Sequence, residues 1–263
     1  MTKTACGFCQ STTAKITNEH IFGEWLNDVF GVGEGRLKMR HSLHRHDTDL
    51  RREWTNAGLD QQVRMPCKPC NNGWMSGIES AAIDVLMPMI KGHERRVLSV
   101  RDRAAVALWA VKTLMVSEFV NKEPARYFTQ EERTALKDDR STFRRLGVYV
   151  WLGRYVDKND GIIASHATGA LVPGVPSAHM SVIALGKLVI HVLVQRGLTE
   201  LMLPKPFRSG PWDQLLALAW PLINFDSATF LIWPPRRGIH ARDFERIFDR
   251  FVVSGGYGTL GGR

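Results

Sequence analysis

Four cysteines stand in the chain as two C-x-x-C pairs, Cys6-Gly7-Phe8-Cys9 near the N-terminus and Cys67-Lys68-Pro69-Cys70 far downstream. Two thiolates at this spacing can grip one metal ion, and two such pairs supply the four sulfurs of a tetrahedral structural zinc site. No cysteine is left over, so one four-sulfur site accounts for all of them and clamps segments that residues 10–66 separate. A redox dithiol is the competing reading of C-x-x-C, but no parallel-strand pattern precedes either pair. Three more residues near these pairs carry chemical potential. Glu19 and His20 are adjacent in Thr17-Asn18-Glu19-His20-Ile21, and Asn71, with Asn72 beside it, directly follows the last cysteine. A neutral imidazole can take a proton from water around neutral pH. Carboxylate and amide oxygens are hard ligands that suit Mg2+ or Mn2+.

The elements that must position these groups follow from local pattern. Ile21, Phe22, Trp25, Leu26 and Val29 recur at near-helical spacing, which predicts a short helix after His20 and puts Glu19 and His20 at a junction between elements. Gln62-Val63-Arg64-Met65 alternates polar and apolar residues, the pattern of a strand running into the second cysteine pair. After Cys70, Ile78, Ala81, Ala82, Val85, Leu86, Met89 and Ile90 form a helical stripe, with Pro88 kinking or shortening it. Between the two halves of this pattern, residues 31–56 turn glycine-rich and then basic. The reading there is an exposed hairpin or loop, either simply solvated or acting as a phosphate-binding flap through Arg36, Lys38, Arg40, Arg45, Arg51 and Arg52.

Taken together, Cys6-x-x-Cys9, Glu19-His20-Ile21 and Cys67-x-x-Cys70-Asn71 resemble the HNH endonuclease family, the ββα-metal nucleases, in its zinc-stapled bacterial and phage form. The resemblance covers roughly residues 4–80. It implies an N-terminal treble-clef-like ββα-metal module with structural zinc on Cys6, Cys9, Cys67 and Cys70. It further implies a catalytic Mg2+ or Mn2+ on Glu19 and Asn71 (Asn72 as the alternative), with His20 as the general base. The reaction implied is DNA phosphodiester hydrolysis leaving 5′-phosphate and 3′-hydroxyl ends. Where the family has a proline three positions after the histidine this chain has Gly23, and Asn56 is the candidate for the family's middle asparagine. The alternative to an enzyme is a non-catalytic zinc module that binds nucleic acid or a protein through the basic segment.

The rest of the chain reads as α+β. Ser99-Val100-Arg101-Asp102 is a capping box that opens a long, largely apolar helix to about Asn121, and Thr129 opens a shorter one ending near Asp138. The period then changes to that of strands at 147–155, 161–171, 178–185, 188–195 and 230–233, with Gly186-Lys187 as a hairpin turn, before a final helix over Ala241 to Val252. The expected organisation is therefore residues 1–92 as the zinc-stapled module and 93–263 as central helices and an antiparallel sheet with helices, a domain that could position substrate, form homo-oligomers or meet a protein partner. His166, His179, His191 and His240 read as hydrogen-bonded structural histidines. The formal charge of +9 favours an anionic partner such as DNA. No signal-peptide pattern and no apolar run long enough to cross a bilayer is present, so the expectation is a cytoplasmic protein without membrane contact. Stand-alone nucleases of this type often belong to mobile elements, phages or anti-phage defence, which is the biology the resemblance implies.

Overall fold

In the computed structural model, residues 4–45, 48–93, 95–121, 126–169, 178–195, 215–220 and 230–244 are described, residues 42–45, 48–51, 143–145 and 169 through their backbone alone. The strands are β1 (Ile16–His20), β2 (Arg36–Arg45), β3 (Thr48–Ala57), β4 (Gln62–Cys67), β5 (Arg96–Ser99), β6 (Val148–Arg154), β7 (Gly161–Gly169), β8 (Ala178–Leu185), β9 (Leu188–Gln195), β10 (Leu216–Trp220) and β11 (Phe230–Trp233). The helices are α1 (Asn27–Phe30), α2 (Lys68–Cys70), α3 (Ser76–Ile90), α4 (Val100–Ser117) and α5 (Gln130–Asp138). The strands richest in apolar residues sit at the centre: β8 and β9 are buried at every position, as central strands are when both faces of the sheet are covered. They meet at Gly186-Lys187, where Gly186 takes a φ of 52°, a conformation that costs glycine little.

Around them a seven-stranded sheet runs in the order β10-β6-β9-β8-β7-β2-β3. One face carries α3 and α4 and shares their apolar core; the other buries Tyr149, Trp151, Met180, Val182 and Leu193 in a second cluster. The expected capping box at Ser99 forms, and Thr129, read as a helix start, makes a second one. The Ser99 side chain accepts from the Asp102 N–H and the Thr129 side chain from that of Glu132, each returned by the acidic side chain; such a cap contributes about 1 kcal/mol. Pro88 lies in the last turn of α3, which continues to Ile90.

The mixed α+β character and the strands read near 147–155, 161–169, 178–185, 188–195 and 230–233 are observed, as β6 to β9 and β11; residues 170–171, and the final helix beyond Phe244, lie outside the described residues. Two features differ from the expectation. The segment 31–56 does form a hairpin, but β2 pairs in parallel with β7, so the sheet is mixed and not purely antiparallel. Leu37 and Met39 are buried beneath it, because Leu37-Lys38-Met39 has the two-residue period of a half-covered strand that the surrounding charges obscure. Strand β11 does not join the large sheet; it pairs with β5. The sheet and its helix-side core therefore draw on residues from both 1–92 and 93–263.

Three histidines cross the helix-bearing face of this sheet. His41, His166 and His179 are buried on adjacent strands, with ring centroids 5.9 Å and 6.1 Å apart in succession. The Thr168 hydroxyl is 2.7 Å from His179 Nδ1, and the fully buried Glu118 stands 3.7 Å from that nitrogen while accepting the Tyr127 and Phe128 N–H groups. Neither ring nitrogen of His166 has a hydrogen-bond partner among the described residues, a departure from the expected bonded histidine. On the opposite face His191 lies 5.1 Å from the Trp151 ring.

Burial holds all four histidines neutral, His41 down to about 4 and His179 and His191 to about 3, with His166 well below its ordinary value. Their folded pKa values are depressed, so the unfolded chain binds more protons below about pH 6.5 and stability falls as pH drops, by up to about 1.4 kcal/mol per pH unit for each group. Burial raises Glu118 to about 7 and also raises Glu19, which opposes that slope until both states are protonated. Acid unfolding is therefore expected to steepen below about pH 4.5, where the raised carboxyls no longer oppose the histidine terms. Replacing His166→Leu should add about 2 kcal/mol near pH 5 relative to pH 8, read from denaturant unfolding at the two pH values. An equal effect at both would contradict a neutral buried imidazole.

Candidate functional site

The two cysteine pairs meet. The Sγ atoms of Cys6, Cys9, Cys67 and Cys70 all lie within 4.8 Å of one another, and Cys9 and Cys67 are 3.6 Å apart. Four sulfurs at a Zn–S distance of 2.3 Å would sit about 3.8 Å from each other in a regular tetrahedron, so the donor set fits zinc. The backbone is wrapped to support thiolates: Phe8 N–H and Cys67 N–H point at Cys6 Sγ, at 3.5 Å and 3.3 Å. Burial raises the Cys6 thiol, but backbone N–H groups from Cys9, Phe8 and Cys67 outweigh it and bring the pKa down to about 7. At Cys67 and Cys70 burial dominates and pushes the thiols up.

The clamp joins one end of an antiparallel ribbon to a helix. β1 pairs with β4, setting Asn18 opposite Arg64, Glu19 opposite Val63 and His20 opposite Gln62. From Cys67 the chain enters α2, passes a π-helical turn at Asn71–Met75 whose Gly73 leaves helical geometry, and continues as α3. Asn71 reaches back across this corner, its amide nitrogen donating to Thr17 Oγ1 at 3.1 Å and to the Asn18 carbonyl at 3.0 Å. Asn72 does not; it is exposed and lines an open depression with Ala14, Lys15, Lys68, Pro69 and Gly73. Asn56 donates to Gln61 Oε1 at 2.7 Å, and the Gln61 carbonyl receives Ile21 N–H, so the turn into β4 is pinned beside His20.

Adjacent strand residues face opposite ways, and Glu19 and His20 obey this. His20 is on the open side of the ribbon, its side chain 28% exposed, with Nε2 3.0 Å from both Gln62 Nε2 and Asp60 Oδ1. Glu19 points inward and is nearly buried, 3.6 Å from the ammonium of Lys112, a fully buried residue of α4. That ammonium also bonds Glu79 Oε1, while Glu79 Oε2 receives the Trp25 indole N–H at 2.6 Å. Burial raises the Glu19 carboxyl pKa, with Lys112 pulling it down and Glu79 pushing it up. Gly23 sits against this network: a Cβ there would lie 2.4 Å from Trp25 Nε1 and 2.6 Å from Glu79 Oε2. Space, not backbone angle, explains the missing side chain.

The structure thus brings Asn71 to β1 immediately before Glu19 and His20 but directs those two to opposite faces. The Glu19 and Glu79 carboxylates that converge on Lys112 are hard oxygen donors of the kind that suits a divalent ion, while Asn71 is held at the Thr17–Asn18 edge of β1. Asp60, Glu79 and Lys112 escaped the sequence reading. The signal available was an isolated charge within an apolar helical stripe, at Glu79 in α3 and at Lys112 in α4, where burial demands a partner.

The basic residues do not form one patch. Arg36, Lys38 and Arg40 share one face of the β2–β3 hairpin, and Arg40 is buried with its Nε 2.7 Å from Glu53. Arg52 is on the other face, its guanidinium 5.0 Å from the Trp54 ring centroid. The side chains of Arg45 and Arg51 lie outside the described residues. On the ribbon that carries His20, Arg64 is exposed on β4, and Lys15 and Lys68 are exposed at the depression. No described helix is long and apolar enough to cross a membrane. Compared with known proteins, the chain matches no family model, no curated protein and no solved structure.

Proposed function

We propose that this chain is a zinc-stapled endonuclease of the HNH type, hydrolysing DNA phosphodiester bonds at a treble-clef-like ββα module. The observation that carries the reading is the corner at Asn71. The β1–β4 ribbon, the following helix and the four-cysteine clamp bring a helix-start asparagine onto the strand that ends in Glu19-His20. His20, on the open side, takes a proton from the attacking water, and Asp60 stabilises the imidazolium that results. Water oxygen bonds to phosphorus as the bond to the 3′ oxygen breaks, leaving 5′-phosphate and 3′-hydroxyl ends. Mg2+ or Mn2+ held by Glu19 and Asn71 would, when bound, neutralise charge on the phosphate and on the departing oxygen. Arg64, Lys15 and Lys68 offer cations to neighbouring phosphates.

A second reading, a non-catalytic zinc module that binds nucleic acid, draws on the opposite directions of Glu19 and His20 and on the engagement of Glu19 with Lys112. Incubating the zinc-loaded protein with supercoiled, linear and single-stranded DNA under each divalent ion separates the two. The nuclease reading expects Mg2+- or Mn2+-dependent scission with 5′-phosphate ends. Salt-dependent binding without scission under any ion would establish the second.

A further inference from the structure

Lys112 has no counterpart in the motif that suggested the site, yet it occupies its interior. It is fully buried, and its neighbours on α4, Val111, Leu114, Met115 and Val116, are buried apolar residues. An ammonium in such a setting is costly unless it is paired, and among the described residues its partners are the carboxylates of Glu19 and Glu79. The two contacts are unequal. Glu79 is bonded closely and is held from its other oxygen by Trp25, whereas Glu19 stands 3.6 Å away. Glu79 is therefore the fixed partner, and Glu19 is the one free to turn toward another cation. Two carboxylates against one ammonium leave a net negative charge that attracts a divalent ion, while the ammonium repels it.

We infer that Lys112 is a resident counter-ion of the Glu19–Glu79 pair, and that a divalent metal binds only by displacing its ammonium from Glu19. Metal occupancy is then set by competition with a cation built into α4, and loading requires free metal in excess of what an unobstructed site would need. The inference rests on the reading of Glu19 as a metal ligand. It makes Lys112 a positioning residue, acting on the metal through Glu19.

The test is Mn2+ binding to the zinc-loaded full chain, followed by the electron paramagnetic resonance signal of free Mn2+, with circular dichroism and zinc content as controls for folding. Lys112→Met is expected to tighten Mn2+ binding by roughly tenfold or more, and adding Glu19→Gln to it should abolish the gain. Lys112→Gln keeps a hydrogen-bond donor for Glu79 without the charge, serves if the methionine variant does not fold, and is expected to tighten binding likewise. Unchanged or weaker Mn2+ binding in the folded Lys112 variants overturns the inference. If Glu19→Gln alone weakens Mn2+ binding while the Lys112 variants do not tighten it, only the competition is overturned. If Glu19→Gln leaves Mn2+ binding untouched, Glu19 is no ligand and both the inference and that part of the site fall.

Discussion

Serine in place of Cys6 or Cys67 is expected to remove zinc from the protein and to unfold the β1–β4–α3 corner with it. Both thiols are buried, and Cys6 Sγ receives the backbone N–H groups of Phe8 and Cys67, so one sulfur organises two remote segments. Structural zinc in small modules contributes about 10–16 kcal/mol of apparent binding free energy, against a total folding stability of about 5–15 kcal/mol for a typical domain. The loss is therefore not one the rest of the corner can absorb. Phe8, packed edge-on against Trp74 at 4.9 Å, depends on it, as do Thr134 and Arg133 of α5, which donate to the Phe8 and Gly7 carbonyls. Metal analysis should find one zinc per wild-type chain, lost in either variant, together with a collapse of the thermal transition on chelation. A chelated protein that melts at the wild-type temperature would refute the structural role.

Much of this corner is legible in the sequence because its signals are local. C-x-x-C spacing, the alternation at Gln62 to Met65 and the stripe from Ile78 to Ile90 each report their own element, as the capping boxes at Ser99 and Thr129 do for α4 and α5. What the sequence hides is set by distant partners. Nothing local in Arg36 to Arg45 says that the strand will lie parallel to β7, because parallel pairing leaves no turn between the partners to mark it. The Glu19–Lys112–Glu79 cluster joins three elements and appears only when α3 and α4 pack. Asp60, on an exposed turn, has no pattern at all until that turn folds beside His20. The same kind of distant contact makes β2 and β3 complete the sheet that the later strands build.

The proposed hydrolysis depends most on His20. A positioned general base contributes about 10²–10⁴-fold to a rate, and His20 is the half-open imidazole on this corner, bracketed by Gln62 and Asp60. Its removal should leave the buried architecture intact, because its side chain is on the open side of the ribbon and outside the apolar core. Asp60→Asn should slow cleavage less, since it removes a stabiliser of the imidazolium and keeps the base. The most direct measurement is the rate of supercoiled-plasmid nicking by zinc-loaded His20→Ala beside the wild type, in Mg2+ and in Mn2+. A general base at His20 predicts a fall of about 10²–10⁴-fold with zinc content and thermal stability unchanged; divalent-metal-dependent nicking by His20→Ala at the wild-type rate would contradict it.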